Sequence, residues 1–324
     1  MKRTYVDDFL IGSSSEEELR QICESLSEEF EITCLGGVRH FLGMEVQKED
    51  GVYHISLSNY IENLEKYGMR DAKQAKSPMD TGYLKQREEC RVFEDATMYR
   101  SLIGGLLYLS VIARPDIAAC TAILGRKVSA PCESDWSAAK RILRYLKGTK
   151  NYKLRLGGDQ NQPLADYSDA DWVGDMDTRR STTGFVLSFD GGVVSWASRR
   201  QAGVTLSSME AEYVALSETC LETLWMRKLL SDFDEAQDTP TIIKEDNQNC
   251  LAFVKSERSS RRSKHIDTKQ RFNQELCDRR EIILEYCPTV YMLADLLTKP
   301  VGPLKHQKFC NMIGFQMKCE KADH

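Results

Sequence analysis

The apolar positions along this chain change period several times, and the changes mark its elements. Thr4 to Gly12 alternates apolar and polar residues around Asp7-Asp8, which predicts strand–turn–strand. The stretch "EEELRQICESLSEEFEI" carries Leu19, Ile22, Cys23, Leu26 and Phe30 at helical spacing. "VRHFLGMEVQKEDGVYHISLS" alternates on both sides of an Asp-Gly pair and predicts a hairpin. A helix is expected from Asn59 to Gly68, and a second helical block from Thr97 to Lys147, broken at Pro115. Its last helix, "SDWSAAKRILRYLKG", is expected to start on Ser134 as N-cap and to stop at Gly148. From about residue 155 the pattern predicts β-β-β-α-β-α-α-β-α, ending with a helix over "VYMLADLLTK". That order implies a mixed sheet with helices packed on it, an α/β unit following an α+β first half.

Composition narrows the classes. With 324 residues, 41% hydrophobic and 29% charged, the chain suits two domains of ordinary size. A net charge of -5 excludes a uniformly basic nucleic-acid binder but not local basic faces. Such faces are the helix face of Lys140, Arg144 and Lys147, and the run "KSERSSRRSKH" with Arg258, Arg261, Arg262, Lys264 and His265. A solvated charged surface is the alternative for each. The 11 cysteines include no C-x-x-C and no Cys/His ligand cluster, so they are expected to be reduced, mostly buried thiols. No signal peptide or membrane-spanning apolar run is evident, and an intracellular, soluble protein is expected.

Four acids fall where strands end or helices begin. Asp169 closes an alternating run, and Glu212 lies early in a helix whose Ser207 and Glu210 form a capping-box pattern. Asp246 follows Ile242-Ile243, and Asp295 sits on the last expected helix. Carboxylates converging on one sheet rim repel one another unless a cation intervenes. An all-oxygen site suits Mg²⁺ or Mn²⁺, and a pair of such ions serves in-line displacement at phosphorus. On spacing alone, Asp171, Asp175 and Asp177 compete for the first position.

At this point the residues are recognisable. "YSDADWVGDMDTRRSTTGFV", "SWASRRQAGVTLSSMEAEYVALSE", "EDNQNCLAFV", "SKHID" and "ADLLTKPV" resemble, in order, the ribonuclease H domain of copia-type LTR retrotransposon Pol polyproteins. "YVDDFLIGSS" resembles their reverse-transcriptase motif, and "FEITCLGGVRHFLGMEV" the hairpin region after it. "YRSLIGGLLYLSVIARPDIA" and "AAKRILRYLKGT" are similar to the segment joining polymerase to nuclease. The resemblance runs from about Thr4 to about Phe315. It implies the end of a reverse-transcriptase palm over residues 1–60 and a helical thumb or connection over 61–150. A ribonuclease H-like five-stranded mixed sheet would occupy 155–315, with a tail at 316–324.

Carried over, the family's site falls on Asp169, Glu212, Asp246 and Asp295, which would hold two Mg²⁺ or Mn²⁺ ions and hydrolyse the RNA strand of an RNA–DNA hybrid. Asp7 and Asp8 would be two of three palm carboxylates. The third lies upstream in the family, so polymerisation by this chain alone is not expected, and the upstream polymerase portion is a possible partner. His265 matches a recurrent family residue with a structural or substrate-contacting role. Lys244 and Glu245 place charge beside Asp246, where the family commonly has a small or apolar neighbour. Hairpin edges in the palm remnant predict poor solubility for residues 1–60, a defect that would not by itself prevent the nuclease half from folding. A non-catalytic nucleic-acid-binding remnant, or a piece of a complete RNA-directed DNA polymerase polyprotein, are the competing expectations.

Overall fold

The computed structural model describes residues 2–5, 8–69, 71–85, 91–158, 162–175, 177–256 and 264–315. The expected Asp7, Arg258, Arg261 and Arg262 and the 316–324 tail lie outside the described residues, as do the side chains of Lys264 and His265.

The first half is built around a two-stranded hairpin, a separate four-stranded sheet and a helical cluster. β1 (Lys2–Tyr5) and β2 (Asp8–Ile11) form an antiparallel hairpin, followed by α1 (Glu16–Glu29). Ser15 caps α1 by accepting the Glu18 N–H, yet no α1 residue is fully buried. Its apolar stripe is only half covered, and Phe30 beyond it is exposed. β3 (His40–Phe41), β4 (Met44–Glu49) and β5 (Val52–Ser56) run antiparallel. Asp50 and Gly51 both take positive φ, 51° and 81°, the geometry that a two-residue hairpin turn demands and that Asp-Gly tolerates. α2 (Ser58–Asn63) continues as a 3-10 turn to Gly68, whose φ of 79° ends it.

α3 (Ala96–Ile112), α4 (Ala118–Gly125) and α5 (Glu133–Gly148) make the helical block, with a short 3-10 turn starting at Pro115 as the expected break. The start of α5 differs from expectation. Cys132, not Ser134, is the N-cap residue, because Asp135 reaches back to accept the Cys132 N–H at 2.8 Å. β6 (Leu154–Leu156) then pairs with β5, so the chain returns to the four-stranded sheet after α5. Cys132 is disulfide-bonded, a departure from the expected reduced state, whereas eight other described cysteines are free thiols.

The second half follows the expected order. β7 (Ala165–Asp171), β8 (Thr182–Phe189) and β9 (Gly192–Arg200) are antiparallel neighbours. α6 (Ser208–Ser231) leads to β10 (Thr241–Glu245), α7 (Gln248–Lys255), α8 (Lys264–Asp278) and β11 (Ile282–Tyr286). β10 lies parallel to both β7 and β11, giving a five-stranded mixed sheet of order β11-β10-β7-β8-β9. The expected last helix is only one turn, α9 (Asp295–Thr298). A further helix, α10 (Pro303–Ile313), was not anticipated, although Pro303 at its start and His306, Phe309, Cys310 and Ile313 on one face carry its signal.

One core joins the halves. Leu102, Leu106 and Leu146 of the helical block pack in the same cluster as Val186, Leu297 and Phe309. At its centre, buried Arg114 clasps Asp116 through Nε at 2.9 Å and Nη2 at 2.7 Å, and also bonds Thr149. Asp116 in turn accepts from Tyr145, while its backbone carbonyl meets His306 of α10 at 3.0 Å. His306 and Cys310 therefore serve packing.

Candidate functional site

The middle of β7 turns Tyr167, Asp169 and Asp171 to the sheet face opposite α6, while Ala170 packs on Ala211 and Ala215 of α6. Glu212, in the first turns of α6, reaches around to the same rim: its Oε2 accepts the Ala170 N–H at 2.6 Å. Asp246 directly follows β10, and its Oδ2 accepts the Thr289 hydroxyl at 2.7 Å. Each of Asp169, Glu212 and Asp246 offers an oxygen within 4.8 Å of the others. Parallel pairing of β10 with β7 brings two strand ends together, and the α6 start crosses above them.

Burial and mutual repulsion disfavour full ionisation of this cluster. Burial, aggravated by Asp295 and Asp246 and moderated by Lys299, pushes Asp169 up to about 7. Burial together with the neighbouring Asp169, Glu245 and Asp246 pushes Glu212 up to about 11. Three carboxyls so placed cannot all be charged without a positive partner, and their all-oxygen donor set fits a hard divalent ion.

The fourth expected acid lies on the same rim, near enough to raise Asp169, but is not among the three whose oxygens all lie within 4.8 Å of one another. Asp295 opens α9 and is fully buried, and its Oδ1 lies 2.5 Å from Lys299 Nζ. Its Oδ2 is taken by Lys305 of α10. Thr298, one turn after Asp295, donates to Asp169 Oδ2 at 2.6 Å and so ties α9 to β7. Gly184 opposite Asp169 makes this approach possible, since a Cβ there would meet Thr298 Cγ2 at 2.6 Å and the Ala294 carbonyl at 2.8 Å.

The competing acids are otherwise engaged. Asp175 pairs with Arg200 at 3.1 Å and Arg126 at 3.8 Å, and Asp177 pairs with Lys127 at 2.6 Å. Glu210 accepts the Leu206 N–H at 2.7 Å as part of the α6 cap. Asp171 stays on the site face, raised by burial and lowered by Lys299. The charged neighbours of Asp246 do not crowd it equally. Lys244 lies over the Tyr167 ring, 4.7 Å from its centre, and donates to its hydroxyl. Glu245 is fully buried, and burial holds its carboxyl well above the usual carboxylate range.

The basic face of α5 has an internal task. Arg144 Nε donates to the Lys73 carbonyl at 2.6 Å, Lys147 to the Ala72 carbonyl at 3.2 Å, and Lys140 lies over the Trp136 ring. Asp8 is exposed at the start of β2. Thr298, Lys299 and Lys305 were not singled out from sequence. The i+3 and i+4 spacing of Thr298 and Lys299 from Asp295 was available as a signal. Lys305 arrives on a separate helix and left none.

Comparison with known proteins gives this geometry its context. Residues 2–81 match the family model described as reverse transcriptase (RNA-dependent DNA polymerase). The chain is 35% identical over 320 residues to the retrovirus-related Pol polyprotein from transposon TNT 1-94 of Nicotiana tabacum, covering 96% of this chain and 24% of that protein. It therefore spans about a quarter of the length of that relative. It is 32% identical over 231 residues to a transposon Ty5-1 protein of Saccharomyces cerevisiae, covering 67% of this chain and 72% of that protein. Among solved structures, the foamy viral protease–reverse transcriptase in complex with dsDNA aligns with a TM-score of 0.51 at 13% identity, over 89% of this chain and 55% of that one. This last likeness concerns the fold.

Proposed function

Because this chain belongs to the Pol polyprotein family of copia-type retrotransposons, we propose that its second half is a divalent-metal-dependent ribonuclease H that hydrolyses the RNA strand of RNA–DNA hybrids. The convergence of Asp169, Glu212 and Asp246 within 4.8 Å carries this reading. These three would hold Mg²⁺ or Mn²⁺, which supplies an activated water and stabilises charge on the phosphate oxygens. A second ion would need Asp295 as an additional ligand.

The chain's own residues do the positioning. The Ala170 N–H and the Thr298 hydroxyl fix one oxygen each of Glu212 and Asp169, and Thr289 fixes Asp246. Oriented ligands of this kind hold a reacting phosphate in line. No Ser–His or Cys–His nucleophile is required. Selection of RNA would come from 2′-hydroxyl and backbone contacts across the minor groove, with shape replacing base sequence. Nucleic-acid binding is supported by the foamy viral relative in fold, whose structure holds dsDNA.

The test uses the full chain with end-labelled RNA–DNA hybrid, double-stranded DNA and double-stranded RNA, in Mg²⁺, Mn²⁺ or chelator. RNA-strand cleavage of the hybrid alone, abolished by chelator and by Asp246→Asn, is the expected result. A folded chain that binds the hybrid without cutting it would overturn the nuclease reading in favour of a non-catalytic binder.

A further inference from the structure

We propose that Arg126, delivered by the helical block, is a positioning residue for the nuclease site: it fixes the β7–β8 loop so that Trp172 stands as a ledge for a nucleic-acid strand beside the three carboxylates. This role rests on the nuclease reading and deepens it, because it gives a residue outside the five-stranded unit a share in substrate binding.

The latch is built from both halves of the chain. Arg126 follows the last residue of α4 and keeps only 13% of its side chain exposed. Its Nη2 donates to the Thr182 hydroxyl at 3.0 Å, and its Nη1 lies 3.8 Å from Asp175 Oδ2. Arg200 of β9 donates to that same oxygen at 3.1 Å. Asp175 passes the restraint to the loop. Its Oδ1 accepts the Asp177 and Thr178 N–H groups at 3.1 and 3.2 Å, and its carbonyl accepts the Arg179 N–H at 2.7 Å. These bonds hold a strained backbone. Val173 and Arg179 have φ of 56° and 54°, a left-handed conformation that side chains disfavour, β-branched valine most of all. Such strain persists only where the surroundings over-determine it, and here Arg126 is part of those surroundings.

The ledge stands on the loop so held. Trp172 directly follows β7, three residues after Asp169, and is 47% exposed. Its indole N–H donates to the Thr205 carbonyl at 3.3 Å, so the ring is pinned although it is open to solvent. Val204 and Leu206 flank Thr205, are also exposed, and lead into the start of α6, the helix that carries Glu212. An open apolar surface beside the carboxylate rim, with exposed Arg179 on the same loop, suits a nucleic-acid strand. Sugars and base faces pack on the indole while the guanidinium meets phosphate. Arg126 is too buried to meet phosphate itself and acts through the loop.

The experiment measures binding of a fluorescent RNA–DNA hybrid to the full chain in chelator, where nothing is cut. Wild type, Arg126→Gln, Trp172→Ala and the double variant are compared over a range of salt concentrations. Trp172→Ala is expected to weaken binding roughly tenfold, and Arg126→Gln roughly three- to tenfold. The double variant should bind no more weakly than Trp172→Ala, because both changes disable one ledge. The dependence of affinity on salt should be the same in Arg126→Gln as in wild type, since no phosphate contact is lost. Losses that add in the double variant, a shallower salt dependence in Arg126→Gln, or wild-type affinity in either single variant would overturn the proposal. Asp175→Asn takes the place of Arg126→Gln if that variant does not fold, with the same expectations. Hybrid that binds wild type but stays uncut in Mg²⁺ would sink the nuclease reading, and the four-way comparison would still decide the ledge. Wild type that binds no hybrid at all overturns the ledge outright.

Discussion

The Trp196 indole N–H on β9 donates to the Ser110 carbonyl near the end of α3 at 2.7 Å, across the junction between the two halves of the chain. With Val193, Leu296, Leu297 and Phe309 in the same core as α3 and α5, the nuclease-like sheet leans on the helical block. A fragment of residues 160–324 should therefore lack a cooperative thermal transition and bind hydrophobic dye. Deleting residues 1–37, where α1 buries no residue, should leave the transition of the remainder nearly intact. Calorimetry of the two truncations checks both, and a cooperative 160–324 fragment would contradict the shared core.

Arg114 and Asp116 are the buried charges of that junction. Burial alone would raise Asp116, but the Arg114 guanidinium overrides it and holds the carboxyl below its usual value. Replacing one partner strands the other charge. Arg114→Met should cost about 3–5 kcal/mol in urea unfolding. A loss under about 1 kcal/mol would mean that Asp116 is rescued by Tyr145 alone.

Thr298 touches the site directly through Asp169 Oδ2. Thr298→Val keeps the shape and removes the donor, so Mn²⁺ affinity or hybrid cleavage should fall roughly 10–100-fold with little change in melting temperature. Unchanged binding and cleavage would make the hydrogen bond incidental.

Gly184 holds a different kind of constraint. A methyl there would press on Thr298 and the Ala294 backbone. Gly184→Ala should destabilise the chain by about 1–3 kcal/mol. It should also lower Mn²⁺ affinity, because α9 must move away from β7. Equal stability in the two proteins would show that α9 yields freely.

Asp166 offers a pH test outside the three-carboxylate cluster. Burial, opposed by the Thr223 hydrogen bond, raises its carboxyl to about 7. The unfolded chain ionises this group near the ordinary aspartate value while the native state keeps it protonated. Stability should therefore fall as pH rises from about 4 to about 7 and then level. Asp166→Asn does not titrate, so its melting temperature should gain on wild type between pH 5 and pH 8. Parallel curves for the two proteins would count against a protonated Asp166.

Much of this protein is determined by sequence over short range. Period-2 runs specified β7 to β9, helical spacing specified α1 and α6, and Asp-Gly specified the β4–β5 turn, because each depends on residues within a few positions. The motifs placed Asp169, Glu212 and Asp246 on adjoining element ends, and the structure brings those three together. Tertiary structure alone decided the rest. Asp295 shares a rim with the others, yet its oxygens went to Lys299 and Lys305, because α10 docks on a core reaching back to Asp116. Arg144 and Lys147 lie on the charged face read from the sequence, and only the fold shows that they also hold the backbone at Lys73 and Ala72. A local pattern shows which face of an element is charged. Which partner that face meets depends on chain segments tens to hundreds of residues away.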